Sequence, residues 1–538
     1  MDMENNQQNP STQTQWPAPY APKPLFELSK RDITFAICGA VISIFLSVLG
    51  VFGGFALGYA ATAVCMLCLF AVYFAKGGKV CAFGIVCGIL ALANAAVFLC
   101  TSNGSVRFFG VVVSFLLSLV CLDGFINGKS IGNRGTAYLF FRAASTVEHI
   151  DITVKSLFSD RNGNRKIIGK VLVGLLCAVP VLIVVVPLLL NSDDAFRGMM
   201  DRMFKDTGKT IFKTIVGIMM SVFVASYGFS LKTGRTAKEK EGKFAGLENA
   251  YIISFLSTIS VCYMLYLFSQ LAYFFSAFKG FLPNGEITYA QYARKGFFEM
   301  CVIAVINLAL VFIAMLLAKK QNGKPCHGIK VLATFIGMFT LVIIATAISK
   351  MVLYIGEYGM TVKRVTTSTF MVFLAVVFIS VILRVYLLKI NVVKTALITA
   401  GCVVLILGAV NVNRVCAEYN YKSYCDGRLD TVDIEALYDL GYEGVAYIVK
   451  LTDDKHQPTA KEAKRYLAGA YLRDYFDDMR ADGDWRESFT VEDLQKREKN
   501  KEFYRFSLPK DKAYDALYTY LEEHPDFDSR CPNLLIYG

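Results

Sequence analysis

Between Ile33 and Asn413 the chain repeats one pattern eleven times: an apolar stretch of about twenty residues, then a short connection that carries charge. A bilayer core about 30 Å thick takes roughly 20 residues of helix to cross, at a rise of 1.5 Å per residue. A water-soluble core gives no reason for that length to recur. The pattern predicts an all-α, polytopic membrane protein with about 11 transmembrane helices in contact with the lipid bilayer. The spans fall near 33–53, 55–75, 80–100, 108–127, 167–190, 210–231, 249–276, 297–318, 329–352, 366–388 and 394–413. Val51-Phe-Gly-Gly-Phe55 leaves almost no connection between the first two. Two glycines there allow either a tight hairpin or one bent segment.

The rest of the chain divides by composition. Residues 1–32 open with a Gln-, Asn-, Pro- and Thr-rich stretch that cannot bury enough surface to order itself, so a disordered cytoplasmic tail is expected. No cleavable signal peptide is expected ahead of the first span, which Lys30-Arg31 introduce. Residues 33–127 read as a first bundle of four helices. Residues 128–166 read as a cytoplasmic connection with an amphipathic helix, and 167–413 as a second bundle of seven. Residues 414–538 carry 19 Lys+Arg against 26 Asp+Glu and read as a small, mostly helical soluble domain. Thr459-Ala-Lys-Glu462 and Thr490-Val-Glu-Asp493 are its capping-box candidates, and Gly441 and Pro525 its breakers.

The whole chain carries a formal net charge of +12. Its basic residues sit at the ends of apolar spans, which points to an anionic membrane surface and away from nucleic acid. With the N-terminus inside, inner connections hold 21 Lys+Arg and outer ones 10. That bias predicts a cytoplasmic N-terminus and an extracytoplasmic 414–538 domain.

Polar groups within the spans are few. Asn94, Asn307 and Gln270 lie deep, where hydrogen bonds between helices account for them. Asp123, Lys350 and Arg384 lie near span ends, within snorkelling reach. Gly54-x-x-x-Gly58 and Gly84-x-x-x-Gly88 mark close helix packing. Pro180 and Pro187 should bend the fifth span. Most cysteines are small hydrophobes inside spans, and Cys65-Met-Leu-Cys68 has no second pair. Cys425 and Cys531 would share an oxidising exterior, where a bridge is chemically permitted. Four scattered histidines (His149, His327, His456, His524) show no metal spacing, and no nucleotide or hydrolase motif is present. No cofactor or metal is expected.

Three polar segments stand out: Asn191–Phe196, Thr288–Glu299 and Tyr354–Val365. In the N-inside topology all emerge outside. Acidic Asp193, Asp194, Glu299 and Glu357 then share a face with basic Arg294 and Arg364. That gives a candidate binding cluster in which opposite charges pair or grip a headgroup. Interfacial anchoring by Tyr289, Tyr292, Tyr354 and Tyr358 is the equal alternative.

These segments, with Asn411–Asn420 and Leu429–Asp433, resemble a bacterial family of polytopic membrane proteins, the domain-of-unknown-function 4173 group, related to the 4153 group. The likeness runs from about residue 140 to about 450. It implies the fold class and a bacterial cytoplasmic membrane, and it transfers no catalytic residue. Three functions stay open. The first is a non-enzymatic membrane protein handling a lipid, solute or envelope component at its outer face. The second is a signalling or scaffold protein whose external domain binds an envelope or membrane protein partner. The third is a membrane-embedded transferase.

Overall fold

The computed structural model of the chain describes residues 29–51, 56–75, 81–127, 207–233, 247–278, 297–319, 325–387, 389–467 and 508–524, with isolated positions between 146 and 189. Apart from one backbone bridge between Leu247 and Ala318, its regular structure is helical. Among the described residues, ten helical segments are long and apolar enough to cross a membrane. The span expected at 167–190, with Pro180 and Pro187, lies outside the described residues.

The first span, α1 (Lys30–Phe45), starts on a capping box: Asp32 N–H donates to Ser29 Oγ, and Ser29 N–H donates back to the Asp32 carboxylate at 2.8 Å. It runs into a π turn, Leu46–Val51. The next helix, α2 (Ala56–Phe74), returns antiparallel, because Arg31 near the start of α1 donates to Val72 O near the end of α2 at 2.7 Å. The two spans form a hairpin rather than one bent helix.

Helices α3 (Ala82–Ala96, tightening to a 3-10 turn at Val97–Leu99) and α4 (Gly104–Asn127) make a second hairpin. Their closeness needs glycine: a Cβ on Gly84 would lie 3.2 Å from Gly124 Cα. Helix α5 (Thr207–Thr233) lies along α1 with the same intimacy, since a Cβ on Gly217 would come within 2.6 Å of Ile44 Cα.

The remaining spans are α6 (Asn249–Phe278), α7 (Phe297–Leu317), α8 (His327–Tyr358), α9 (Val362–Tyr386) and α10 (Val392–Ala409). In this group Tyr263 stacks on Phe339 with ring centroids 4.1 Å apart, over a core of Ile343, Met371 and Phe378. Deep polar groups are used between helices. Tyr263 OH donates to Asn307 Oδ1 at 2.5 Å, and Asn307 Nδ2 donates to Thr340 Oγ1 at 2.9 Å. The last span crosses back to the first hairpins: Asn94 Nδ2 on α3 donates to Gly401 O on α10 at 3.1 Å. Large apolar side chains such as Phe108, Phe115, Leu265 and Phe268 point outward, each more than 60% exposed. Such faces suit lipid as solvent.

Beyond α10 the chain stays helical through α11 (Val412–Cys425), α12 (Ile434–Tyr438), α13 (Tyr442–Leu451), α14 (Gln457–Tyr466) and α15 (Leu508–Glu523). Their common core of Cys416, Leu437, Ile448, Leu451, Ala463 and Leu517 is continuous with Val97 and Val106 of the α3–α4 hairpin. The helices therefore sit on the bundle at the end where α4 and α9 begin and α10 finishes. We call this the domain end and its opposite the tail end. Gly441 takes φ +71 before α13, the breaker its residue type requires. Helix α14 starts earlier than the Thr459 capping pattern suggests. Its N-cap is His456, because Pro458 fits the first turn, where no N–H is needed. The Thr490 candidate and Pro525 lie outside the described residues.

Candidate functional site

The two tight pairs, α1 with α5 and α3 with α4, stand apart from each other, and α2 closes one side between them. The space left is a cavity of about 460 Å³ lined mainly by apolar side chains, among them Tyr59, Met66, Phe70, Ala91, Phe115 and Tyr227. From Tyr59 to Phe70 is eleven residues of helix, so its long axis follows the bundle for roughly 16 Å. A second apolar cavity of the same volume shares Leu67, Phe70, Leu92 and Leu122 as a common wall. That second space is also lined by Cys68 and Ile89, which are exposed on the lipid side.

Two of the hydroxyls in this mainly apolar lining are buried without a partner. Ser43 Oγ on α1 and Ser114 Oγ on α4 are buried and have no hydrogen-bond partner; the residues are 1% and 6% exposed. Tyr59, Ser118, Thr146 and Tyr227 also line the space, and Tyr227 OH donates to Leu119 O at 3.1 Å.

The tail end is closed by charge. Asp32 is fully buried, and its carboxylate accepts from Lys232 Nζ at 2.7 and 2.8 Å, from Tyr73 OH and from Ser29. One carboxylate thus ties the start of α1 to the ends of α2 and α5. Beside it Thr233 Oγ1 lies 3.4 Å from His149 Nε2. Of the amphipathic helix expected in 128–166, Thr146, Val147, His149, Ile150 and Thr153 are described and helical; Thr146 O accepts from Ser226 Oγ at 2.6 Å.

The domain end is closed by a hydrogen-bond network around one carboxylate. Glu443, in the first turn of α13, is 7% exposed. Its oxygens accept from Ser102 N–H at 3.0 Å, from the Ser102 hydroxyl and from Asn411 Nδ2 at 3.0 Å. Asn411 is the one non-glycine residue with positive φ (57°) among the described residues. It joins α10 to α11, donates to Cys100 O at 2.7 Å and caps α11 through Arg414 N–H. Asn103 Nδ2 donates to Asn413 Oδ1 at 2.7 Å, and Asn413 Nδ2 donates to Leu440 O at 2.9 Å. The α3–α4 connection is thereby held by α11 and α13 together.

Of the six residues proposed from sequence for an outer polar cluster, Glu299, Glu357 and Arg364 are described. They lie at the start of α7, the end of α8 and the start of α9, which share the domain end. Glu299 and Glu357 are exposed. The Arg364 guanidinium donates to Tyr358 O and Gly359 O and lies 4.0 Å over the Tyr354 ring. Its charge closes the α8–α9 turn. Asp193, Asp194 and Arg294 lie outside the described residues, and so does Cys531, the counterpart of the exposed Cys425. Arg384, near a span end, donates to Ile390 O at 2.6 Å. Among the described residues no group of three His, Cys, Asp or Glu could hold a metal ion.

Two of the distinctive sequence segments meet in space. Met360 N–H donates to Asn420 Oδ1 at 2.6 Å, and Asn420 Nδ2 donates to Met360 O at 2.8 Å. The α8–α9 turn and α11 are paired like two strand residues, next to Gly359 at φ +76. This pairing belongs to a stretch that matches, over residues 36–451, the family described as Domain of unknown function (DUF4153). The chain belongs to that family. The match is to the 4153 group, named above only as a relative of the resembled 4173 group, and it takes in the first four spans, where the sequence offered no likeness. No curated protein and no solved structure matches the chain.

Sequence reasoning passed over Asp32, Lys232, Ser43, Ser114 and Glu443. Asp32 carried one usable signal: Ser29-Lys-Arg-Asp32 has capping-box spacing, which marks the carboxylate as part of the helix rather than of the tail. Nothing local marks the others.

Proposed function

We propose that this family member is a non-enzymatic membrane protein that takes up a single apolar chain of a lipid or other amphiphile inside the helix group α1–α5. The observation that carries this reading is the 460 Å³ apolar cavity between two tightly packed helix pairs. A chain leaving the bilayer for such a space gains no hydrophobic free energy, because lipid tails are already apolar. An empty space of this size, however, forfeits the dispersion contacts of its whole lining, and an occupant restores them. The adjoining cavity gives a sideways approach past Cys68 and Ile89. With the N-terminus inside, as the charge bias indicates, the Asp32–Lys232 closure faces the cytoplasm and α11–α15 lie outside.

Photolabelling tests the reading. Protein in bilayers containing a diazirine-bearing hexadecanoyl lipid should be labelled on α1–α5 peptides, at buried lining residues such as Tyr59 and Phe70. Ala91→Phe, which fills the space, should remove that labelling and leave labelling of the outward Phe268 face intact. Equal labelling of both faces in both proteins would sink the proposal.

A partner-binding role for α11–α15 has its own support in the Glu443 network. It makes the domain and the α3–α4 connection one rigid joint, so a partner held by the domain would be felt at the cavity wall. A partner pulled down by full-length protein and lost with Glu443→Ala would favour it.

A further inference from the structure

Hydroxyls in these spans normally return to their own helix. Thr62, Thr214, Ser221, Thr258, Thr346 and Ser380 each donate to a carbonyl three or four residues back. Ser43 and Ser114 do not. Seven buried side-chain polar atoms among the described residues have no partner; these two line the cavity, and none of the other five does. An unpaired buried hydroxyl is costly, so a pair facing one space calls for a shared explanation.

Their depth supplies it. Asp32 and Lys232 fix one level at the tail end. Ser43 is eleven residues up α1 from Asp32, roughly 16 Å. On the far wall, Tyr227 stands five residues above Lys232, its hydroxyl reaches Leu119 O, and Ser114 is five residues further along α4. Two steps of five residues make roughly 15 Å. Both hydroxyls therefore stand at one height, near the middle of a core about 30 Å thick.

We infer that the cavity selects a chain carrying one uncharged hydrogen-bonding oxygen, a hydroxyl or a carbonyl, part-way along its length, which Ser43 and Ser114 bind at mid-depth. This rests on the chain-binding reading above and sharpens it. A plain acyl chain fills the volume but leaves both hydroxyls unpaired. A carboxylate or phosphate is disfavoured by desolvation, because no Lys, Arg or His is among the described lining residues. An in-chain oxygen satisfies the serines and is hidden from hydrocarbon at the same time. The geometry specifies the oxygen and its position, so an oxygenated acyl chain and an oxygenated isoprenoid chain both qualify.

Competitive binding to the purified full chain in detergent, read by native mass spectrometry, tests this with two defined probes. Methyl 10-hydroxyoctadecanoate should bind about tenfold better than methyl octadecanoate, the ratio that two ordinary hydrogen bonds supply. The 2-hydroxy isomer should show no gain. Ser43→Ala/Ser114→Ala should abolish the preference while plain-chain binding stays unchanged. Single Ser114→Ala, should the double variant not fold, should lower the preference to about threefold. Equal binding of all three probes by the unsubstituted protein overturns the inference and leaves chain binding standing. Binding of none overturns both.

Discussion

Lys232 Nζ sits 2.7 Å from Asp32 Oδ1 and 2.8 Å from Oδ2, joining the last turn of α5 to the first turn of α1 across two hundred residues of sequence. Asp32 is wholly buried while the Lys232 side chain is 41% exposed, so the two contribute unequally. Removing the lysine leaves a buried carboxylate with only hydroxyl and backbone donors. Breaking a fully buried pair costs about 3–5 kcal/mol, and the exposure of Lys232 discounts this to about 1–3 kcal/mol. Lys232→Met should therefore lower the thermal midpoint in detergent. Asp32→Asn/Lys232→Met should recover most of the loss, because no uncompensated charge remains. A double variant as unstable as the single one would show that the pair is not the source.

Glu443 is the corresponding tie at the other end, and it acts through geometry. Glu443→Ala strips acceptors from Ser102 N–H and from Asn411 Nδ2, each a buried donor worth about 1–3 kcal/mol when left unpaired. The domain helices should then loosen from the α3–α4 connection before the spans unfold. Hydrogen exchange checks this: amides of α13 should exchange faster in Glu443→Ala, and those of α8 should not change.

Cysteine chemistry separates the two thiols of α11. Cys416 is fully buried and burial pushes its thiol up to about 12, whereas Cys425 is exposed. A maleimide at pH 8 should modify Cys425 and spare Cys416 until the domain unfolds. The raised value also sets a pH dependence. The folded domain holds the proton that the unfolded chain releases near the ordinary 9.0, so this contribution is intact below about pH 9. It is lost as pH climbs towards 12. Half-buried Tyr447 and buried Tyr520 shift the same way, so the comparison is with Cys416→Ala. That variant should lose less stability between pH 9 and 11 than the unsubstituted chain.

The spans were legible because helix length and hydropathy answer to one physical dimension, the bilayer thickness. What the sequence hid is what depends on pairs of distant residues. Asp32 stood at the edge of an apolar run, where a charge ordinarily reaches water. Its burial depends on Lys232 and Tyr73, which only the fold brings near. Asn411–Asn420 and Tyr354–Arg364 were conspicuous as polar segments, yet nothing in either names the other, and the Met360–Asn420 pairing appears only in space. Ser43 and Ser114 look like any span serine, since whether a hydroxyl returns to its own carbonyl is a rotamer choice the sequence does not record. Glycine was the partial exception. Gly84 and Gly88 announced a close approach, and Gly124 and Cys121 prove to be what they approach.

That exception yields the sharpest packing test. A Cβ on Gly408 of α10 would lie 1.8 Å from Val97 Cγ1, and Val97 is itself 2% exposed in the core that joins α3 to the domain helices. A β-branched side chain so enclosed cannot turn aside, so Gly408→Ala must push α10 off the end of α3. Overpacking of this kind costs about 1–3 kcal/mol. The displacement falls three residues before Asn411, whose left-handed backbone sets the hydrogen bonds to Cys100 and Glu443. Gly408→Ala should therefore lower the thermal midpoint and also speed hydrogen exchange in α13, as Glu443→Ala does. Val97→Ala alone leaves a small void, but Gly408→Ala/Val97→Ala gives the new methyl room and should be more stable than Gly408→Ala. Gly104, with nothing within 4 Å of its Cβ position, is the control: Gly104→Ala should leave both readouts unchanged. Equal effects at Gly104 and Gly408 would mean that helix propensity, not the contact with Val97, decides the outcome.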